Sequence, residues 1–452
     1  MAERIEKDSM GEMRVPEGAL YGAQTQRAVE NFPISGRRMS PQVIRALARI
    51  KASCAAANRA IGRLDAERAA AIRTKALEVA AGEYADQFPI DVFQTGSGTS
   101  TNMNMNEVLA RLASTPEMKV HPNDHVNMGQ SSNDVIPTAI HVAARDTISE
   151  VLEPGVARLS TALGAAAKRF DDVVALGRTH TMDAMPRRIG QLLGGHAAMI
   201  EMGLARVREA DEGLAAVALG GTAVGTGYGA PRAFIEASLS ELSKLSGHTF
   251  REAPNHFASQ GGIDALVTAS ASVRGVAISL GKIAGDLRWL AAGPAGGPHE
   301  IRFRALQPGS SMMPGKVNPV MAEVAIQVTA QVIGNDAAIA FAGASGILDL
   351  NTFFPLVADN VIYSMILVGR ASSTVAERAI ETLEVDRDRC TELVERSGML
   401  VTALAPKIGY DVAADIAKEA QRAGSTVREV AKAKGVLPPD EIDRLLDPRS
   451  MT

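Results

Sequence analysis

Apolar residues recur at helical spacing through the middle of this chain. Leu152, Val156, Leu159, Leu163 and Phe170 follow one another at intervals of three, four and seven, as do Leu266, Val273, Val276, Leu280, Ile283, Leu287 and Leu290. This pattern marks one buried helical face. A helix over 263–290 would span about 40 Å at roughly 1.5 Å per residue, so helical structure predominates from about 134 to 384 and predicts an elongated bundle. Pro154 predicts a kink in the first of these helices. Val320 to Ala342 is apolar except for Glu323, Gln327, Gln331, Asn335 and Asp336, and reads as a buried helix in the middle of a large bundle. The same polar residues argue against a membrane span. These helices carry more apolar face than one chain's core needs, which predicts contact with other subunits; one large bundle is the alternative.

Start signals frame the rest. Ser40 caps and Pro41 opens a helix to about Ile61, and Asp65 opens an Ala-rich one to about Tyr84. Residues 1 to about 40 show no sustained period and predict an extended arm or a small irregular unit. After about Asp386 come three short charged helical segments, broken at Lys407-Ile408-Gly409-Tyr410 and Leu437-Pro438-Pro439.

Length and charge narrow the classes. With 452 residues there is ample material for two or three domains, and a net charge of −4 excludes nucleic-acid binding through bulk charge. Cys54 and Cys390 form no metal or redox motif, and read as reduced residues of a cytoplasmic-type compartment. The start, Met-Ala-Glu-Arg-Ile-Glu-Lys-Asp, is too charged for a signal sequence.

Four polar clusters interrupt the helices. Gln94-Thr95-Gly96-Ser97-Gly98-Thr99 runs on to Asn106-Glu107; its glycine spacing does not fit a dinucleotide loop, leaving a hydroxyl-rich carboxylate cradle or an ordinary cap. His121-Pro122-Asn123-Asp124-His125 precedes Gln130-Ser131-Ser132-Asn133-Asp134, and Pro122 opposes a zinc helix between the two histidines. Gly177-Arg178-Thr179-His180 ends a strand-like segment before a helix predicted to start near Pro186. The fourth, Gly309-Ser310-Ser311-Met312-Met313-Pro314-Gly315-Lys316-Val317-Asn318-Pro319, feeds the long apolar helix. A glycine-rich loop entering a helix is a natural oxyanion site, to which Lys316 adds charge, Asn318 a directional donor and Ser310 a hydroxyl. Glu323 lies one turn further on, placed to charge a histidine or to pair with an arginine.

The fourth cluster resembles the signature loop Gly-Ser-Ser-x-Met-Pro-x-Lys-x-Asn-Pro of the fumarase/aspartase superfamily at every fixed position. Within it the chain is most similar to the class II fumarases, through Leu20-Tyr21-Gly22-Ala23-Gln24-Thr25-Gln26-Arg27, through Ser97, and above all through His180, where aspartases usually carry Gln. The resemblance implies an all-α fold of three domains, drawn here at 1–132, 133–386 and 387–452. It also implies a homotetramer around a central bundle, each active site being shared by three subunits. The implied reaction is reversible hydration of fumarate to L-malate, without metal or organic cofactor and with neither nucleic-acid nor membrane partner.

Roles follow residue by residue from the resemblance. Ser310 would remove the C3 proton, and Lys316, Asn318 and Thr99 would hold the doubly charged carboxylate so formed. Ser97, Gly98, Ser131, Ser132, Asn133, Thr179, Ser311 and Val317 would complete the substrate contacts. His180, paired with Glu323, would act through water on the C2 hydroxyl. His121, Pro122, Asn123 and Asp124 match a secondary carboxylate site.

Several positions depart from the family pattern. Arg187 and Arg188 follow Pro186, Arg302 and Arg304 make the segment before the signature unusually basic, and Ala295 stands where arginine is common. His125, Gly129 and Met118 alter the second cluster. The arginines fit either a larger, more anionic substrate or, preferably, a solvated face or subunit-interface salt bridges. Rival readings are a C–N lyase acting on aspartate or an N-substituted aspartate, and a non-catalytic structural homologue.

Overall fold

The computed structural model describes residues 2–452 and is mainly helical, with four two-stranded sheets among those residues. The chain forms two compact units, each assembled from three separate stretches: Met1–Pro154, Ala205–Ala277 and Ala330–Gly369 in the first, and Gly155–Leu204, Ile278–Thr329 and Arg370–Thr452 in the second.

The first unit opens with an antiparallel hairpin, Glu3–Asp8 against Gly11–Pro16, where the sequence predicted an irregular arm. Its strands alternate charged and apolar residues too sparsely to stand out, and side chains hold it in place: Arg27 Nε lies 2.8 Å from Asp8, and Arg4 Nη2 donates to Tyr21 O. The helix Pro41–Ala60 begins as expected, with Ser40 Oγ accepting from Val43 N. The next, Ala66–Ala80, is capped by Asp65 but stops short of Tyr84, because Gly82 and Tyr84 both take left-handed backbone angles. Helix Ser132–Thr147 passes into a widened turn, Ile148–Leu152, at whose end Glu153 N donates five residues back to Ile148 O. Pro154, lacking an N–H, follows this turn, so the irregularity expected at the proline is taken up just before it.

Three long helices, Asp264–Leu290, Val320–Ala344 and Phe354–Val375, contribute to this unit. Length and composition alone would let helices of this kind cross a membrane. Polar rungs join them instead: Ser270 Oγ and Arg274 Nη1 donate to Asp336, and Asn335 Nδ2 to Ser364 Oγ at 3.0 Å. Val320–Ala344 is not the buried helix expected from its composition. Ile333 is 45% and Phe341 66% exposed, because the helix is apolar around its circumference and one chain covers only part of it.

The second unit carries the hairpin Val174–Thr179 and Met182–Arg188, whose register shifts between Leu176 and Arg178. Gly177 is required at the shift, since a Cβ there would collide with Met185 O. Pro186 pairs with Leu176 inside this hairpin, and the helix starts at Ile189 rather than near the proline. Leu176 enters an apolar cluster with Val394, Leu400, Leu404, Ile416, Val427 and Ile442, so the C-terminal segments underpin the hairpin. They comprise more pieces than the three expected, with the Gly409 break between Ala405–Ile408 and Tyr410–Ala423 and the prolines opening Pro439–Leu445.

Candidate active site

In the first unit two helix starts meet through their hydroxyls. Helix Thr99–Ala113 follows Gly98, which has φ 72°, and helix Ser132–Thr147 follows Ser131. Thr99 Oγ1 lies 2.8 Å from Ser97 Oγ and 2.7 Å from Ser132 Oγ. Ser131 closes a capping box with Asp134, whose other oxygen accepts from Gly220 N and Thr222 N at 3.1 and 2.9 Å. Asn133 Nδ2 donates to Ala223 O. Ser97, Thr99, Ser131, Ser132 and Asn133 are all half-buried. The result is a chain of hydroxyls above two positive helix ends, a natural receptor for carboxylate.

Beside it, Pro122–Val126 forms a single widened turn. His121 Nδ1 accepts from Asp124 N at 3.1 Å, and His121 N donates to His125 Nδ1 at 2.9 Å, so the two histidines brace the turn. Burial, and then Arg68, hold the His125 pKa below its ordinary value. Met118, at the place of a basic residue, is buried in the core. Among the described residues no three His, Cys, Asp or Glu side chains are grouped to bind a metal.

In the second unit His180 and Thr181 form the exposed tip of the hairpin, with φ of 55° and 62°. The strand below is clamped by Arg178, whose Nη1 donates to Glu300 Oε2 at 2.6 Å; Glu300 is completely buried. Arg187 is largely buried beside the same carboxylate, and burial lowers its pKa. Arg188 pairs with Asp171 at 2.7 Å, and Arg302 lies 3.3 Å from Asp386 and 3.7 Å from Glu384. Arg188 and Arg302 thus pair with carboxylates of their own chain, and Arg302 with Glu384 lies exposed, as in the solvated face preferred from the sequence. Arg304 is exposed, as are Thr179, Ser311, Lys316 and Val317.

The signature loop wraps a cavity of about 390 Å³, lined by Ala305 to Ser310 and Met313 to Val317. Ser310 Oγ accepts from Met312 N at 3.2 Å and from Met313 N at 3.1 Å. Asn318 Nδ2 donates to Gly309 O, and Gly309 N to Lys316 O, both at 2.9 Å, closing the loop. Glu323 stands one turn into the helix. Among the described residues His180 and Glu323 form no ion pair within one chain.

The sequence reading missed two groups. One is Glu300, a carboxylate amid basic residues. The other is Lys51, fully buried in an Ala-rich helix, with Nζ 2.9 Å from both Asn127 Oδ1 and Gln130 Oε1. Only the lysine's place on the buried face of Pro41–Ala60 could have drawn attention to it.

The helical scaffold thus presents paired helix starts and a hydroxyl held by loop amides, and its family match is to the lyases. Residues 11–334 match the family model described as Lyase, and residues 400–452 match the one described as Fumarase C C-terminus. The chain is 49% identical to fumarate hydratase class II of Corynebacterium glutamicum, over 99% of this chain and 96% of that one. It is 50% identical to the enzyme of the same name from Halobacterium salinarum, over 99% and 97%. Among solved structures, the class II fumarase of Schistosoma mansoni superposes with a TM-score of 0.96 at 34% identity, covering 100% of this chain and 99% of that one. A Brucella melitensis protein described as fumarate lyase:delta crystallin bound to cobalt gives 0.94 at 43%, with the same coverage. The chain belongs to the class II fumarate hydratase family of the fumarase/aspartase superfamily.

Proposed function

We propose that this protein is a hydro-lyase interconverting fumarate and L-malate, with Ser310 as the base. The carrying observation is the pair of N–H groups, from Met312 and Met313, directed at Ser310 Oγ. Hydrogen bonds to an ionised acceptor contribute about 1.5–3 kcal/mol each, roughly twice a neutral one. The pair therefore favours the alkoxide over the hydroxyl, as a base acting on a weakly acidic C–H requires.

In this reading Ser310 takes the C3 proton of malate and the adjoining carboxylate acquires a second negative charge. Lys316, Asn318 and Thr99 stabilise that charge. The Ser97–Thr99–Ser132 hydroxyls hold substrate carboxylate with Ser131, Asn133 and Thr179, while Gly98, Ser311 and Val317 shape the contacts. His180, charged by Glu323, protonates the departing C2 hydroxyl through water. Since these two groups do not pair within one chain, the proposal brings them together across a subunit boundary. A homotetramer with sites shared by three subunits is part of it, supported by the exposed apolar faces at Val324, Ile333 and Phe341. So are a division at 132 and 386, a secondary carboxylate site at His121–Asp124, and a reducing, cytoplasmic compartment that suits the buried free thiols of Cys54 and Cys390. The in-chain carboxylate partners of Arg188 and Arg302 support this reading over an N-substituted aspartate.

The test follows the ultraviolet absorbance of fumarate's conjugated double bond, with L-malate and L-aspartate supplied separately. Rapid appearance with malate alone supports the hydratase; appearance with aspartate alone would transfer the protein to the C–N lyases.

A further inference from the structure

Lys51 is an unusual place to put a charge. Its side chain is fully buried, and among the described residues it has no ion-pair partner; two amide oxygens, Asn127 Oδ1 and Gln130 Oε1, receive its ammonium at 2.9 Å. Both acceptors lie in the turn immediately before Ser131, Ser132 and Asn133. Asn127 Oδ1 also accepts from Asn102 and Asn106, each at 3.2 Å, on the helix that Thr99 begins. The lysine thus ties the starts of both cradle helices to one point. The ionisable groups facing it are Asp134 from helix Ser132–Thr147 and Cys54 from its own helix. Asp134 is occupied by three backbone N–H groups, and burial pushes the Cys54 thiol up to about 12, leaving it neutral.

We propose that Lys51 is a positioning residue for the dicarboxylate substrate: its buried side chain fixes the 127–134 turn beneath the cradle, and its amine becomes more fully protonated when the dianion binds. The inference rests on the carboxylate-binding role assigned above to Thr99 and Ser132. Burial brings the Lys51 pKa down to about 7, so the empty protein holds a mixture of charged and neutral lysine near neutrality. A bound dianion favours the charged form, and reciprocity requires the charged form to bind the dianion more tightly.

The experiment is calorimetric titration of the full-length protein with succinate, a non-reacting dicarboxylate, in buffers of different ionisation enthalpy. The wild type takes up about half a proton on binding near neutral pH. Lys51→Met and Lys51→Arg lose this uptake, position 51 in the first having no titrating group and in the second remaining charged throughout. Lys51→Met binds succinate about tenfold more weakly than wild type at about pH 6 and equally at about pH 9, where the wild-type lysine is already neutral. Lys51→Arg keeps its affinity across that range. Proton uptake unchanged in either variant, or no uptake by the wild type, overturns the proposal; the wild-type measurement decides even if a variant does not fold. Wild-type turnover of malate is recorded alongside. Its absence would count against the functional reading, whereas normal turnover with unchanged uptake would count against Lys51 alone.

Discussion

The Arg178–Glu300–Arg187 group beneath the hairpin makes an ordered prediction. Glu300 is 0% exposed and is the only carboxylate among the described residues bonded to Arg178, at 2.6 Å, while Arg187 lies largely buried beside it. Removing one partner of a buried ion pair typically costs 3–5 kcal/mol, because the other charge is left uncompensated. Glu300→Gln leaves two guanidinium groups without an anion but keeps an oxygen for Arg178, so a loss of about 3 kcal/mol is expected. Arg178→Met leaves Glu300 still facing Arg187, and about 2 kcal/mol is expected. Arg187→Met removes a cation not hydrogen-bonded to the carboxylate, and a change of less than about 1 kcal/mol is expected. Urea unfolding of the three variants, compared at constant m-value, measures the order. If Arg187→Met destabilises as much as Glu300→Gln, the account of one anion shared by two cations is wrong. Because the clamp supports both Thr179 and His180, Glu300→Gln should also lower kcat and raise KM.

Three further outcomes are expected. Ser310→Ala should reduce malate turnover by about 10²–10⁴-fold with circular dichroism and oligomeric state unchanged, and near-normal turnover would rule out Ser310 as the base. Gly98→Ala places a side chain at φ 72° with its Cβ 2.8 Å from Ile136 Cγ2; a loss of about 2–3 kcal/mol and a raised KM are expected, whereas unchanged values would mean that the cradle does not depend on this turn. His141 is buried with its pKa lowered to about 4, against an ordinary value of 6.5. The unfolded chain therefore binds the extra proton first, and stability present above about pH 6.5 is lost as pH falls towards about 4. His141→Gln should flatten that part of the stability profile, and an unaltered slope would assign it to another group.

Local rules carried far into this fold. Ser40, Pro41 and Asp65 predicted helix starts because a cap needs only its own next turn, and the Gly-Ser-Ser loop was legible because its residues act together within eleven positions. What escaped depends on distant partners. Pro186 suggested a helix start, yet it lies in a strand whose pairing is set by Gly177 and Leu176. Arg187 looked like a surface charge until Glu300, remote in sequence, was placed beside it. Lys51 was hidden for the same reason, since its partners Asn127 and Gln130 lie some seventy to eighty residues away. Val320–Ala344 was read as a largely apolar, buried helix, but composition does not say whether such a surface is covered by its own chain or left exposed.

With His180 in the role proposed above, the hairpin tip sets stability against function. His180 and Thr181 both occupy left-handed backbone angles, where Asn-Gly would sit without strain and where a β-branched residue is a rare outlier. Selection for a sturdier hairpin alone would drive 180–181 towards Asn-Gly, discarding the imidazole. Laboratory evolution under a purely thermal screen should therefore erode activity at this turn first, and thermostable descendants that keep activity should recover their stability elsewhere.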